Sequence, residues 1–265
     1  MNASTDETEA ICREYAAKDK RIRYVRQAQN LGAAANFKYV LDEARGEYFM
    51  GTAADDKWDP RWIEILLPVS ARTQCIAFGT LQTIDSSSNP MPHPANRRNF
   101  SYTGSILSRR LKYYLEPAFL GKANPIYGIH PRHLLFSVDV FNILVSTKTA
   151  ADMRLIYALL ARAEIRGNNG VVLYKRIHSD CTSSGVQTLT TNKNFASKIW
   201  DLFCQSSEGF KIQELRNYSS LSTGFERAIL ITLFPLSLIY IIGEKLNLAY
   251  IIREKIRNNR RFFAK

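Results

Sequence analysis

Two adjacent acidic residues, Asp55 and Asp56, are the side chains in this sequence with the clearest chemical use. They follow the apolar segment 48–50, which predicts a strand, and they precede a helix that Pro60 is placed to open. Acidic residues at the carboxyl end of such a strand lie where α/β sheets bind ligands. Mg²⁺ bound to a diphosphate needs only one or two protein carboxylates, because phosphate oxygens and water supply its other ligands. The pair therefore predicts a cation and diphosphate site; the alternative is a simple turn, with Asp59 capping the next helix.

The elements that must position these carboxylates alternate along the first part of the chain. Such alternation predicts an α/β fold with a mostly parallel sheet and covering helices. The alternation stops after Cys181, so we expect an α/β domain over residues 1–185 and a helical C-terminal region over 186–265. Apolar periodicity predicts helices that include residues 11–16, 30–44, 60–67 and 152–163, and strands at 21–26, 48–50, 75–83 and 171–177.

The C-terminal region combines an apolar segment with a basic tail. Residues 228–242 contain no charged side chain, but they fall short of the ~20 residues that a membrane-spanning helix needs, and Pro235 is expected to interrupt them. Residues 245–265 hold seven basic residues and one acidic residue, a net charge of +6. This order predicts a hairpin or interfacial helix at the cytosolic face of a membrane. The alternative is a helix that packs on the apolar face of the sheet.

Composition excludes several classes of protein. A hydrophobic content of 46% and a charged content of 23% exclude wholesale disorder. The four cysteines form no C-x-x-C pair, which excludes a zinc ribbon and indicates a reducing, cytoplasmic setting. The net charge of +12 raises the hypothesis of nucleic-acid binding. Half of that charge lies in the tail and no aromatic–basic platform is present, so nucleic acid is not the expected partner.

Four segments, in this order and at this approximate spacing, resemble motifs of the family 2 glycosyltransferases. They are residues 2–8 (NASTDET), 30–36 (NLGAAAN), 44–48 (ARGEY) and 55–56 (DD), and a weaker similarity resumes at 127–128, 151–152 and 176–178. The resemblance implies a GT-A-like, Rossmann-related domain. It further implies an enzyme that transfers a sugar, with inversion, from a nucleoside-diphosphate sugar to a cell-surface glycan or a lipid-linked acceptor.

The resemblance assigns four residues near the start of the chain to the nucleotide-sugar donor. Asn2 and Asp6 would lie near the nucleotide, and Asn30 and Gly32 would border the donor. Gly32 also has a simpler interpretation, since it allows close approach of the backbone at a helix start, where N–H groups favour phosphate.

The resemblance also assigns the metal and diphosphate side of the site. Asp55 would be the ligand of a divalent metal, Mg²⁺ or Mn²⁺, with Asp56 beside it. Many relatives carry a further acid two positions earlier, where this chain has Ala53, which weakens the expectation of metal dependence. His178 would contact the diphosphate or the metal; the alternative is a loop histidine bonded to backbone.

On the acceptor side, the resemblance assigns Asp152 as the general base. Sugar transfer with inversion needs a base that takes the proton of the acceptor hydroxyl, and a carboxylate at a helix start can do this. The alternative for Asp152 is helix N-capping, which Asp favours. His130 and His133 are further candidates for lining an acceptor site, although their spacing does not require it.

Relatives normally begin with a strand, a nucleotide-base loop and a helix before the segment that matches Asn2. Met1 stands where they have an Asp that contacts the nucleotide, so the resemblance implies that one βα unit, on the order of 30 residues, is missing. A misassigned start or a truncation is the favoured explanation; the alternative is that another segment completes the sheet. Two alternatives to an active glycosyltransferase follow. One is an inactive remnant or binding module with the same fold, and the other is a basic nucleic-acid-binding protein.

Overall fold

The structure is a computed structural model, and it describes residues 2–145, 150–177 and 207–239. Most of these residues lie in strands and helices. The strands are β1 (Tyr48–Phe49), β2 (Lys57–Trp58), β3 (Ile76–Ile84), β4 (His130–Pro131) and β5 (Ile165–Arg176). The helices are α1 (Thr8–Lys18), α2 (Gly32–Glu43), α3 (Trp62–Thr73), α4 (Ile106–Leu115), α5 (Arg132–Phe136), α6 (Val140–Val145), α7 (Ala151–Leu159), α8 (Ser207–Ser219) and α9 (224–239). Two 3₁₀ turns occupy Ala118–Leu120 and Asn124–Tyr127.

The strands form a three-stranded mixed sheet in the order β2–β5–β3 and a two-stranded sheet of β1 and β4. The longest ladder is the parallel pairing of β3 with β5. Strand β2 pairs antiparallel with the other edge of β5, and β1 pairs antiparallel with β4. Ala77 and Ile129 exchange two backbone hydrogen bonds of 3.0 and 2.8 Å, which join β3 to the segment that enters β4. Gly128 makes this approach possible, because a Cβ there would lie 2.6 Å from the Ala77 carbonyl oxygen. The expected α/β fold is therefore confirmed, with short antiparallel pairings added to the parallel ladder.

Aromatic contacts build the part of the core that lies between β3 and α3. The rings of Trp62 and Phe78 meet edge to face at 5.4 Å, and Phe78 meets Phe100 in the same way at 5.4 Å. Gly79 sits where the β3–β5 register shifts, and a Cβ there would lie 2.5 Å from the Trp62 ring. Edge-to-face pairs contribute about 0.5–1.5 kcal/mol beyond their burial, so this contact fixes α3 against the sheet.

The strand expected at residues 21–26 does not form. A strand needs a ladder with a neighbouring strand, whereas this segment is held through side chains. Arg23 pairs with Glu43 on α2, and Arg26 pairs with Glu9 on α1. Alternating side chains therefore predicted a strand in a segment that pairs with no strand in the described part of the chain and that ion pairs join to α1 and α2.

The start of α1 is held by the side chain of Asp6. Helix α1 begins at Thr8, and the carboxylate of Asp6 accepts hydrogen bonds from the Thr8 N–H at 3.1 Å and the Thr8 hydroxyl at 2.5 Å. Asp6 therefore makes the side-chain bonds at this helix start.

The C-terminal helices are attached to the α/β part through a buried cluster of charges. Glu214 of α8 lies between Lys122 and Lys211, with Nζ–Oε distances of 2.5 and 2.9 Å, and the three side chains are at most 2% exposed. Lys122 also donates to the Tyr113 and Glu116 carbonyl oxygens at 3.0 and 2.7 Å. Burial raises the pKa of Glu214, but the two lysines outweigh it and hold that pKa below its usual value. Glu214 is therefore ionised inside the protein.

A second buried ion pair attaches α9. Arg110 of α4 donates to both carboxylate oxygens of Glu226 at 2.9 and 2.8 Å and to the Leu221 carbonyl oxygen at 2.9 Å. The guanidinium also lies 4.0 Å from the centre of the Tyr157 ring. Because Tyr157 stacks on Tyr218 of α8 at 4.2 Å, helices α4, α7, α8 and α9 form one packed unit.

Helix α9 continues through Pro235, so the expected interruption is wrong. The proline removes one backbone donor, but it lies on the exposed side, while Leu230 and Ser237 on the other side are fully buried. Packing of that side compensates for the lost hydrogen bond. Residues 240–242 of the predicted apolar segment lie outside the described residues. Within the described part of the chain, no helix is long and apolar enough to cross a membrane.

His130 and His133 lie in different surroundings. His130 lies in β4, is 1% exposed, and its Nε2 lies 3.2 Å from the Ile126 carbonyl oxygen. His133 is exposed on α5, beside a shallow pocket of about 530 Å³ that Tyr48 and Gln74 also line. Burial therefore excludes His130 from lining an acceptor site, and the expectation for His133 stays a prediction.

We expect Glu214→Gln to lower the free energy of unfolding by about 3–5 kcal/mol, because it leaves two buried ammonium groups without their counter-charge. Denaturant unfolding monitored by circular dichroism measures this. Glu14→Gln is the matched control, since Glu14 pairs with Lys18 on the surface and should lose about 1 kcal/mol or less. Equal losses in the two variants would contradict the buried cluster.

Burial lowers the pKa of His130 to about 4, although backbone hydrogen bonds raise it in part. An unfolded histidine titrates near pH ~6.5, so between these values the unfolded chain binds a proton that the native protein does not. The stability that comes from burying neutral His130 is therefore fully present above pH ~6.5, and it is lost as the pH falls toward the pKa of the native protein. Relative to His130→Gln, the wild-type protein should therefore lose about 2 kcal/mol between pH 7 and pH 5. Unfolding curves at both pH values test this, and a constant difference would contradict it.

Candidate functional site

The acidic turn after β1 is held from across the sheet by the last residue of β5. The backbone N–H of Arg176 donates to Oδ1 of Asp56 at 2.8 Å, and its Nε donates to the Asp55 carbonyl oxygen at 2.9 Å. Both aspartates are half-buried. The structure thus brings the two predicted acids together at the carboxyl ends of β1 and β5, where the sequence placed a ligand site.

Arg176 also fixes the loop that follows β3. Its Nη1 donates to the carbonyl oxygens of Asp85 and Ser86 at 2.7 and 2.8 Å, and Nη2 donates to the Ser88 hydroxyl at 3.1 Å. One guanidinium therefore joins the acidic turn to the β3 exit loop. The sequence indicated this residue only as part of a segment similar to relatives. A sequence pattern could have identified Arg176: it is a basic residue at the end of one strand, and the acidic pair follows the end of another strand that lies nearby.

The electrostatics of the turn favour a cation. Burial raises the pKa of Asp56, and the charge of Asp55 raises it further, against the lowering effect of the Arg176 N–H, Lys175 and Arg176. A divalent cation would relieve this repulsion, and one or two carboxylates suffice when phosphate oxygens complete the shell. Within residues 2–145, 150–177 and 207–239, no cluster of three or more His, Cys, Asp or Glu side chains could hold a metal.

The 3₁₀ turn Asn124–Tyr127 forms one wall beside the acids. The Lys175 ammonium donates to the Asn124 side-chain oxygen at 3.1 Å and lies 5.4 Å from the centre of the Tyr127 ring. Gly51 sits between this turn and α2, since a Cβ there would lie 3.2 Å from the Phe37 ring and 4.0 Å from the Ile126 carbonyl oxygen. The Lys175 ammonium is therefore a positive charge held at this wall, close to the negative charges of Asp55 and Asp56.

Three of the four predicted donor-side residues meet at the start of α2. The Asn30 side-chain oxygen accepts from the Asn2 amide at 2.7 Å and from the Gly32 N–H at 2.9 Å. The Asn2 oxygen accepts from the Leu31 N–H at 2.8 Å. Gly32 has φ +81°, a left-handed conformation that favours glycine. The Asn2–Asn30 contact therefore ties the chain start to α2.

The fourth residue, Asp6, belongs to a different set of contacts at the start of α1. Its hydrogen bonds from the Thr8 side chain and backbone lower the pKa of the carboxyl group, so it stays ionised. His178 lies outside the described residues.

Asp152 is the second residue of α7 and not its N-cap, which is Ala150 in a left-handed conformation. The Asp152 carboxylate accepts the Met153 N–H at 2.8 Å. Its negative charge is close enough to Tyr113 to raise the pKa of that phenol, which burial already raises well above its usual value. The N-capping alternative is therefore wrong. Asp152 is a carboxylate in the first turn of α7, and its charge acts on the buried phenols of Tyr113 and Tyr218.

Two relatives with curated sequences share parts of this chain. An uncharacterised protein of Mycobacterium tuberculosis (strain ATCC 25618 / H37Rv) is 48% identical over 153 residues, which cover 50% of this chain and 43% of that protein. An uncharacterised glycosyltransferase of Rickettsia conorii (strain ATCC VR-613 / Malish 7) is 23% identical over 201 residues, which cover 74% of this chain and 31% of that protein. The chain thus spans less than half the length of either relative.

Solved structures of TarS from S. aureus resemble this fold. Residues 1–349 of TarS in complex with UDP-GlcNAc align with a TM-score of 0.57 and 14% identity, over 91% of this chain and 62% of that chain. The same TarS residues in complex with UDP align with a TM-score of 0.55 and 15% identity, over 89% and 59%. This similarity confirms the GT-A-like α/β fold.

The motifs near residues 2–8, 30–36, 44–48 and 55–56 all lie inside one family match. The model of the family described as "Glycosyl transferase family 2" matches residues 2–141, more than half of the chain. With its acidic turn at the carboxyl edge of a GT-A-like sheet, this chain belongs to glycosyl transferase family 2.

Proposed function

We propose that the chain transfers a sugar from a nucleoside-diphosphate sugar to a hydroxyl group of a cell-surface glycan or lipid-linked acceptor, with inversion at the sugar carbon. The observation that supports this most is the Asp55–Asp56 turn, which Arg176 fixes beside Lys175. Paired acids next to fixed cations suit a metal-bound diphosphate, because the charges of both partners are matched. The TarS structures in complex with UDP-GlcNAc and UDP support the same class of donor.

In this proposal, the residues around the acidic turn bind and orient the donor. Asp55 and Asp56 would hold a divalent metal, which supplies positive charge to the diphosphate. Lys175, whose charge acts on Asp56 and whose ammonium bonds Asn124, would face phosphate. Asn2, Asn30 and Gly32 would border the nucleotide at the start of α2, where helix N–H groups favour negative charge.

Asp152 would act on the acceptor. Its carboxylate takes the proton of the acceptor hydroxyl while that oxygen bonds to the sugar carbon, and the bond from the same carbon to the diphosphate oxygen breaks. The Met153 N–H fixes the orientation of this carboxylate.

The proposal includes a location at the cytosolic face of a membrane, where a lipid-linked acceptor would be available. It is supported by the sequence order of apolar helix and basic tail and by the exposed apolar side of α9. An inactive binding module with the same fold would use the same donor contacts without turnover, so binding and turnover must be measured separately.

We expect Asp55→Asn to weaken metal-dependent binding of UDP-sugars by roughly tenfold or more, since it removes a charged ligand of the metal. Titration calorimetry with UDP-GlcNAc and related UDP-sugars, with and without Mg²⁺ or Mn²⁺, measures this. Asp59→Asn is the control, because Asp59 is a neighbouring acid that bonds Arg61. Equal donor affinity with and without metal in the wild-type protein would overturn the assignment of Asp55.

We expect Asp152→Asn to lower turnover by about 10²-fold or more, the usual contribution of a positioned acid–base group, while donor affinity changes little. Asp139→Asn is the matched control, since Asp139 is another helix-start carboxylate that only bonds Asn142. Release of UDP in the presence of acceptor gives turnover, and calorimetry gives donor affinity. Normal turnover in Asp152→Asn would refute its role as base; donor binding without turnover in the wild-type chain would favour a binding module.

A further inference from the structure

We propose that one side of α9, the outward face, docks this protein on an anionic lipid surface together with the basic residues that follow it. The outward face consists of Phe225, Ile231, Leu236 and Ile239, which are 72%, 56%, 58% and 65% exposed. This gives a physical form to the membrane location in the proposed function. Its tests measure lipid binding alone, so it can stand or fall independently of sugar transfer.

The outward face is a continuous apolar stripe on a helix. Ala228, Thr232 and Pro235 fill the positions between the four large side chains, and all three are exposed and uncharged. With 3.6 residues per turn, these seven positions fall on one side of α9. Glu226, Leu230 and Ser237 are buried on the opposite side. One side of α9 therefore packs against the protein, and the other side exposes large apolar side chains.

Contacts on the packed side hold the outward face in place. The Arg110–Glu226 ion pair anchors the first turn of α9, and the Tyr114 hydroxyl donates to the Leu230 carbonyl oxygen at 3.3 Å. The helix therefore cannot rotate its large apolar side chains inward without breaking a buried ion pair. A fixed face needs no ordering when it binds, which favours docking.

Charge identifies the partner as a lipid surface. Residues 245–265, which follow α9 after five residues, carry seven basic side chains and one acidic one. Apolar side chains that enter the acyl boundary and basic side chains at anionic headgroups are the two components of interfacial membrane binding. With its apolar side chains on one side and the basic tail after it, the helix is expected to lie along the surface.

Truncation is a poor test of this proposal, because a chain that ends at Thr223 loses Glu226 and Leu230 from the packed side. Substitutions on the outward face avoid this problem. The face variant is Phe225→Ser, Leu236→Ser and Ile239→Ser together. Its matched control is Ile11→Ser, Tyr15→Ser and Val40→Ser, three apolar residues that are similarly exposed in α1 and α2. A tail variant, Arg257→Gln, Arg260→Gln and Arg261→Gln, tests the charge.

The full chain is mixed with vesicles of phosphatidylcholine alone or of phosphatidylcholine with phosphatidylglycerol, and bound protein is separated by flotation. We expect binding to the anionic vesicles only. The face variant should bind at least about tenfold more weakly with an unchanged melting temperature, and the control variant should bind as the wild type does. The tail variant should also bind more weakly, and its binding should depend less on salt.

Three outcomes would overturn the proposal. One is a wild-type chain that does not bind anionic vesicles at low salt. Another is a face variant that binds as tightly as the wild type. The third is a wild-type chain that binds no vesicles while the face variant shows a different defect. That defect would be either a sharply lower melting temperature or the loss of a dimer. These would assign the outward face to the chain's own remaining residues or to a second copy.

Discussion

The rest of the structure depends on a single carboxylate buried between two ammonium groups. Glu214 neutralises one of the two charges of Lys122 and Lys211, and the backbone carbonyl oxygens of residues 113, 114 and 116 accept three further N–H groups of the two lysines. A buried ion pair of this kind is weak evidence of stability by itself, because desolvation opposes its attraction. Its effect here is positional. It sets α8 against α4, and Lys122 lies two residues before the wall that borders the acidic turn.

The same constraint reaches both halves of the candidate site. On one side, Asn124 accepts the hydrogen bond of Lys175, which places a cation next to Asp56. On the other side, Tyr113 and Tyr218 surround the first turn of α7, and the charge of Asp152 acts on both phenols. Side chains that would bind donor and acceptor therefore depend on helices that follow the family match in sequence.

Sequence alone predicted the features of the fold that depend on neighbouring residues. The acidic turn after β1, the apolar helix α7 and the long strands β3 and β5 all follow from periodicity and from residues that favour turns. Sequence predicted less well where a distant partner decides. The partners of Arg176 lie up to 121 residues away, the segment 21–26 is held by ion pairs with α1 and α2, and Pro235 is tolerated because the opposite side of α9 is packed. His130 appeared as a polar ligand-site candidate, although tertiary burial makes it part of the core.

The buried charges also have a consequence for synthesis. Lys122 is made 92 residues before Glu214, since 214 minus 122 is 92, and Arg110 is made well before Glu226. At about 5–20 residues per second, Lys122 waits roughly 5–20 s for its counter-charge. During that interval these cations must stay hydrated, so the face of α4 cannot close into a dry core. The α/β part is therefore kept open on one side until the C-terminal helices arrive, and a ribosome-bound chain exposes that side to chaperones.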